Sequence, residues 1–446
     1  MNIGLVPTLN PSFGGGHQYS LAMLEAVALL AEQRREGNTY TIFVRPEERE
    51  LLPRLNSFRE DHLVVYASLA YRASAWIKRS IGQGIIRKAV SRMRQHLLRG
   101  RRTDPDRVRQ DFELANLLRK HQIDWVLYTG SDARTFESGW PYVMPIFDLE
   151  HRLQPEFPEV SADGEREERE YVYRNSTRRA TLILAGSEAG KEDILNFYGC
   201  YGIKADQIKV LPYPPAPYLR PEVSASERNE VRKRYRLPSR YLFYPAQLWP
   251  HKNHLRLVQA LGQVKHVGTD VHVVLCGTHS GAIRTQAFRE MMREAHRLQV
   301  TEQIHHLGYV PNADMSALYA EAVALVMPTF IGPTIPVVEA WLFGCPVLTS
   351  DIPGLREQVG EAGLLVNPLS VTDIAEGMKR LWDDGRLCKE LAQRGRQQLV
   401  RHSPDTYRDQ LAQIIVEANH CVAQLQSGFC GAQDRLNTHA YRRCVT

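Results

Sequence analysis

Short, almost wholly apolar runs recur along the chain and alternate with longer amphipathic ones. Asn2–Pro7, Tyr40–Val44, Leu63–Tyr66, Trp125–Thr129, Tyr142–Phe147, Thr181–Ala185 and Lys209–Pro212 read as strands of a first series. Tyr241–Pro245, Val271–Cys276, Ile304–Leu307, Val323–Met327 and a strand beginning at Val347 form a second. Runs this short and this apolar suit strands buried on both faces, as in a parallel sheet covered by helices. Helical spacing lies between them, at about Tyr19–Leu30, Leu255–Leu261, Ala282–Leu298, Ala313–Glu321 and Val337–Phe343, and later at Ile374–Asp383 and Asp405–Gln424. A polar helical stretch, Glu165–Arg179, precedes Thr181. The alternation breaks once, at Pro212-Tyr213-Pro214-Pro215-Ala216-Pro217 with Pro221 beyond, a composition that makes a stiff extended linker.

The pattern predicts two α/β units: residues 1–212, then a linker at 213–222, then 223–403. A C-terminal helix at 404–426 and an aperiodic tail at 427–446 follow. A length of 446 residues is too much for one core and fits two.

One stretch organises the second unit, Ala324 to Asp351. Pro328 ends a strand, and Gly332 and Pro333 form a loop. Thr334 can cap a helix whose first turn accepts Pro336, and Gly344 and Pro346 terminate it. A helix N-terminus thus opens just past a buried strand, with Glu339 one turn inside. Free N–H groups and the helix dipole attract phosphate there, and a carboxylate at that depth can accept hydrogen bonds from a ribose diol. The same pattern belongs to any strand–helix–strand unit, in which Glu339 merely complements the dipole. Gly14-Gly15-Gly16, between the first strand and its helix, is open in the same way: a phosphate cradle or a flexible turn.

Composition narrows the class. No apolar run approaches the roughly 20 residues of a membrane span, and MNIGLVPTLN has neither a basic nor a long apolar signal region. Seven scattered cysteines without CxxC argue against a disulfide framework or a zinc site and point to a reducing cytoplasm. The formal charge of +6 is modest but concentrated. Arg72 to Arg109 is densely basic against only Asp104 and Asp106, with Ile77, Ile81, Ile85, Val90, Met93 and Leu97 near helical spacing. That is a basic amphipathic segment suited to an anionic membrane surface, or a solvated face over an ordinary core stripe. No nucleic-acid motif accompanies it, so nucleic acid is not an expected partner.

Several nearby motifs fail on spacing. Gly186 to Lys191 has three residues between its glycines and Glu192 after the lysine, so it is a strand-to-helix turn capped by Ser187. The pairs His251/His254 and His305/His306 lack further ligands. No metal and no cofactor is expected. Asp148 and His151, just past a strand end, sit where ligands bind in open α/β sheets, or where a loop is anchored.

Taken together, Tyr241–Leu261, the Leu307-Gly308-Tyr309-Val310 turn and Pro328–Pro346 resemble, in order and spacing, the retaining glycosyltransferases of the GT-B fold, glycosyltransferase family 4, of the bacterial surface-polysaccharide type. The resemblance covers most of the C-terminal half. In the N-terminal half it rests on Gly14–Gly16, Asp148–His151 and Ser187–Tyr198. It implies an α/β GT-B fold, two doubly wound Rossmann-like domains with a cleft between them. It implies a donor site in which Lys252 contacts the pyrophosphate, Glu339 holds the ribose, and Thr334, Ile335, Pro336 and Val337 form the helix start. Gly308, Tyr309 and Val310 would read the base, and Gly15 and Gly16 would lie near phosphate and acceptor. Asp148 and His151 fall where the family keeps its catalytic-side histidine, and Lys252 joins them as a catalytic cation.

The sequence departs from the family in three places. Ile331 replaces the first glutamate of E-x7-E, Gln247 replaces a frequent arginine, and Phe147 stands where the histidine is expected. The activity so implied is metal-independent transfer, with retention, of a hexose, mannose being the candidate. The donor is a nucleoside-diphosphate sugar, the acceptor a hydroxyl of a lipid-linked or polysaccharide glycan, and the place the cytoplasmic side of the membrane. A GT-B epimerase or phosphorylase, or a catalytically impaired donor-binding subunit, are the alternatives.

Overall fold

The computed structural model describes residues 1–33, 37–52, 62–66 and 108–432. The basic segment Arg72–Arg109 lies outside them except for its last two residues. Two all-parallel sheets are present. The first has seven strands in the order β3-β2-β1-β4-β5-β6-β7, and the second six in the order β10-β9-β8-β11-β12-β13. The first comprises β1 (Asn2–Val6), β2 (Thr39–Val44), β3 (Leu63–Val65), β4 (Trp125–Tyr128), β5 (Tyr142–Ile146), β6 (Leu182–Ala185) and β7 (Ile208–Val210). The second comprises β8 (Leu242–Pro245), β9 (Val273–Cys276), β10 (Ile304–His306), β11 (Ala324–Met327), β12 (Val347–Ser350) and β13 (Leu364–Val366). The apolar runs became central strands because helices cover both faces: every residue of β4, β5, β6, β9, β11 and β12 is buried.

The strand order of each sheet reverses once, between β1 and β4 and between β8 and β11. Ligands of open α/β sheets bind beyond the C-terminal strand ends at such a point. In the second sheet that places the loops after Pro245 and after Met327 side by side. In the first it places the loop after Val6, with Gly14–Gly16, beside the loop after Tyr128.

The aperiodic ends of the sequence hold more structure than their pattern predicts. Strand β13 and the Gly385–Leu399 helix follow the second unit's last expected strand. The C-terminal helix runs Pro404–Ala432, past the expected end near 426. It leaves the second domain and packs on the first. Tyr407, Leu411, Ile415, Ala418 and Val422 share a core with Tyr19, Leu24 and Val27 of the Gly15–Glu32 helix, and the Trp125 indole donates to Asn419 at 2.8 Å. The proline-rich connection is no free spacer either, since Tyr213, Ala216 and Leu219 are buried.

Candidate functional site

The loop from Ala246 to Asn253 begins at the C-terminal end of β8. Gly277 lets it approach β9: its φ is +138°, and a Cβ there would stand 2.2 Å from the Ala246 carbonyl oxygen. The loop closes in a turn that puts Asn253 at a left-handed φ of 61°. The buried Asn253 amide donates to the carbonyls of Pro328 and Pro368, both at 2.8 Å, and Phe330 N–H donates to the His251 carbonyl at 2.9 Å. Tyr244 hydroxyl donates to the Lys252 carbonyl at 2.7 Å. Lys252 is therefore carried on a loop stitched to the strand below it and to the loop after β11.

That second loop ends at Thr334, the N-cap of the Ile335–Leu342 helix, with Pro336 in the first turn. Thr334 is held from behind. Its N–H donates to Gln358 Oε1 at 2.9 Å, and its carbonyl accepts from Gln358 Nε2 at 2.8 Å. Gln358 lies on the Pro353–Val359 helix, which approaches closely because Gly354 has no Cβ; one there would meet the Gly332 carbonyl oxygen at 2.4 Å. The Thr334 hydroxyl itself is buried without a hydrogen-bond partner. A fixed helix start with an unpaired buried hydroxyl is a ready anion site.

One turn inside, Glu339 is 2% exposed. Its Oε2 accepts from the Tyr319 hydroxyl at 2.5 Å, and its Oε1 makes no close hydrogen bond. Burial pushes its carboxyl up to about 7, opposed by Tyr319 and by the nearby Ala216 backbone. The Tyr218 hydroxyl stands within electrostatic reach and accepts from Gln18 of the first domain at 2.6 Å. An acceptor with one open oxygen in a dry floor suits a vicinal diol.

At the end of β9 the Gly277 amide donates to the Gly308 carbonyl at 2.8 Å, joining two loops around a cavity of ≈ 360 Å³. Thr278, His279, Ser280, Thr285, Gly308 and Tyr309 line it, and the Tyr309 ring is 69% exposed at its edge. Val310 is buried beneath the turn. Gln247 lies between this cavity and the first domain's glycine loop, where a Cβ on Gly14 would sit 3.5 Å from Gln247 Nε2. Gly15 and Gly16 open the first helix at the same edge. The donor-side residues expected from sequence thus follow the C-terminal ends of four strands, β1, β8, β10 and β11. Ile331 carries no charge into them. Among the described residues, no three His, Cys, Asp or Glu side chains stand close enough to hold a metal ion.

The first domain contributes carboxylates. The His251 ring pairs with Glu159 through Nδ1 at 2.7 Å, and its backbone N–H donates to the same oxygen at 2.9 Å. Burial lowers His251 to about 4, so the ring is neutral and Nδ1 carries the proton donated to Glu159. Burial also lowers the Lys252 ammonium, against the fields of Glu150, Asp148 and Glu159, and burial together with Asp148 raises Glu150. Arg169, 2.8 Å from Asp148, holds that carboxyl below its usual range against the pull of burial.

Asp148 and His151 separate. Asp148 faces Lys252 and His251 across the cleft. His151 belongs to a helical turn, Glu150–Leu153, that carries it inward. It has no exposed surface, and its Nε2 lies 2.9 Å from Glu170 and 3.0 Å from Tyr198 hydroxyl. That is an anchoring role within the first domain. Tyr319 and Gln358 come from helices with no motif of their own, and Tyr218 from the linker, where only the prolines carry a signal.

The family described as Glycosyl transferases group 1 matches residues 227–398. An Escherichia coli O-antigen chain mannosyltransferase B is 28% identical over 286 residues, 61% of this chain and 71% of that protein. The chain spans half or less of the next curated mannosyltransferases it matches. Among solved structures, Anabaena HepE in complex with UDP and glucose aligns over 93% of this chain and 99% of its own, at TM-score 0.63 and 18% identity. WaaG, a glycosyltransferase involved in lipopolysaccharide biosynthesis, aligns over 93% and 99%, at 0.61 and 15%. The fold is GT-B, and residues 227–398 form a glycosyltransferase group 1 domain.

Proposed function

We propose that this glycosyltransferase moves a hexose, mannose first among candidates, from a nucleoside-diphosphate sugar to a hydroxyl of a lipid-linked or polysaccharide acceptor, with retention, in surface-polysaccharide assembly. One observation supports the reading: the loop that carries Lys252 is hydrogen-bonded to the loop that leads into the Thr334-capped helix, with Glu339 one turn inside, where the strand order of the second sheet reverses. In this reading the base enters the cavity beside Tyr309 and the ribose hydroxyls donate to Glu339 Oε1. The diphosphate lies against Lys252 and the amides of Ile335 and Val337, while Gly15 and Gly16 close over it. Cleavage of the anomeric bond leaves charge on that diphosphate, which a fixed cation and an oriented helix stabilise without reorganisation. Asp148 faces the sugar from the first domain. The mannosyltransferases among the relatives favour mannose.

The test is a donor screen with UDP-, GDP- and TDP-sugars, followed by NMR of the product's anomeric configuration. Lys252→Ala and Glu339→Ala should each lower turnover roughly a hundred-fold or more while melting cooperatively. Near-normal turnover in both refutes the site. Epimerised free sugar nucleotide without acceptor would favour an epimerase, and donor binding without turnover a binding subunit. No helix among the described residues is long and apolar enough to cross a membrane. The Arg72–Arg109 segment is the proposed contact with an anionic inner-membrane surface. Salt-sensitive co-sedimentation with anionic vesicles, lost on deleting it, tests that contact.

A further inference from the structure

The Ala282–Arg297 helix carries several arginines. Arg289 and Arg297 read as a solvated face, and Arg297 pairs with Glu294 on its own helix at 2.8 Å. Arg284, in the first turn, is different. It turns back over the loop after β9. Its Nε donates to the Ser280 carbonyl at 2.8 Å, its Nη2 reaches the Ser280 hydroxyl and its Nη1 the Thr278 hydroxyl, both at 3.4 Å. Nη1 also donates to Gln247 Oε1. The guanidinium carbon lies 4.5 Å over the Trp249 ring, and Trp249 Nε1 donates to the same Gln247 oxygen at 3.0 Å. Of its neutral hydrogen-bond partners, Thr278 and Ser280 line the cavity that holds Tyr309, and Gln247 stands at the Gly14 edge of the cleft.

No carboxylate balances this cation among the described residues. Its pKa is lowered from the usual arginine value, and burial is the cause. Arginine stacked on an indole and held by neutral oxygens keeps its full charge and a fixed orientation. Two donors converging on Gln247 Oε1 fix that amide as well, with its Nε2 on the side of Gly14.

We propose that Arg284 is a donor-binding residue: its guanidinium, with Gln247, engages the diphosphate of the nucleoside-diphosphate donor between the base cavity and the Gly14 loop. The proposal rests on the donor reading above. It adds a second cation to Lys252, delivered from the start of a helix and on the base side of the diphosphate. Lys252 stands among Glu150, Asp148 and Glu159, so its charge is partly shared. Arg284 brings charge that no carboxylate among the described residues offsets.

Calorimetry on the full chain with UDP, GDP and TDP, and with the matching nucleosides, tests it. Arg284→Gln should weaken the diphosphate roughly ten- to hundred-fold and leave the nucleoside unchanged. It should also flatten the salt dependence of diphosphate binding, and Arg284→Lys should restore part of the affinity. If diphosphate and nucleoside weaken equally, Arg284 only shapes the Thr278–Ser280 loop and the proposal falls. If Arg284→Gln binds the diphosphate as the unmodified protein does, the proposal falls while the donor site stands. If the unmodified protein binds none of the three diphosphates, the donor reading falls and this proposal with it.

Discussion

Replacing Glu339 by glutamine changes one atom of the cleft floor and removes one titration. The carboxyl is buried, and burial raises it from an ordinary 4.5 to about 7. Between about 4.5 and about 7 the unfolded chain has lost a proton that the folded chain keeps. The folded state then binds more protons, so stability falls as pH rises through that window and is fully present only below it. A shift of roughly 2.5 units at about 1.36 kcal/mol per unit amounts to about 3 kcal/mol. The amide in Glu339→Gln carries no such penalty.

The difference in unfolding free energy between the original protein and Glu339→Gln should therefore move against the carboxylate by about 3 kcal/mol from pH ~4.5 to ~8. It should be level on either side of that window. Urea denaturation at half-unit steps measures it. If the two domains unfold separately, the transition to read is that of the second, which holds Glu339. Donor binding supplies a second readout. Ribose hydroxyls donating to Oε1 favour the ionised form, so nucleoside-diphosphate affinity should rise through pH ~7 in the original protein and stay level in the variant. A stability difference that is flat across this range refutes the reasoning, because it would mean that Glu339 is solvated or paired.

Three further outcomes follow from named contacts. Gln358→Ala removes both hydrogen bonds that fix Thr334 and leaves two backbone groups unpaired; it should cost about 2 kcal/mol by denaturation and raise the nucleoside-diphosphate Kd several-fold. Glu357 caps the first domain's Glu188–Tyr198 helix from the second domain, accepting from Glu188 N–H at 2.8 Å and Ala189 N–H at 3.0 Å. Glu357→Ala should broaden the interdomain distance distribution in small-angle scattering while changing the melting temperature little, and an unchanged distribution refutes the capping role. Gly354→Ala places a methyl 2.4 Å from the Gly332 carbonyl oxygen, so the donor loop must move. A melting-temperature loss of several degrees is expected, and a neutral result would show that the loop yields freely.

The parallel strands were legible because helices on both faces demand continuous apolar runs, and the runs at Val323–Met327 and Thr181–Ala185 meet that demand. The Gly385–Leu399 helix was not, because only Leu391, Ala392 and Gly395 of it are buried and most of its other residues are polar. Nor could local pattern show that Leu411 and Ile415 pack on Leu24 of the other domain. In the site, Thr334 and Glu339 were marked by a strand end and cap residues, and Lys252 by the resemblance of the motifs in their order along the chain. Tyr319, Gln358 and Arg284 come from helices whose sequence is ordinary. Only the loop that each one touches distinguishes it. His151 shows the converse. Three residues past Asp148 the chain has already begun a helical turn, which carries the ring into the core. Spacing alone cannot separate a residue facing the cleft from one facing away.

The charges and hydrogen bonds crossing the cleft run in both directions. The second domain offers Lys252 and His251 to Asp148, Glu150 and Glu159, while its Glu357 caps a helix of the first. Apolar contact adds to this, as in Phe157 against Phe330, 5.3 Å between centroids. The countercharge around Lys252 is incomplete by construction. Asp148 is engaged by Arg169, Glu159 by His251, and Glu150 is driven toward its neutral form by burial and by Asp148. None of the three is committed to the ammonium. A diphosphate therefore displaces little when it approaches Lys252, because Asp148 and Glu159 each keep a partner of their own. That arrangement favours donor capture by the second domain, with the first domain's carboxylates left to face the sugar.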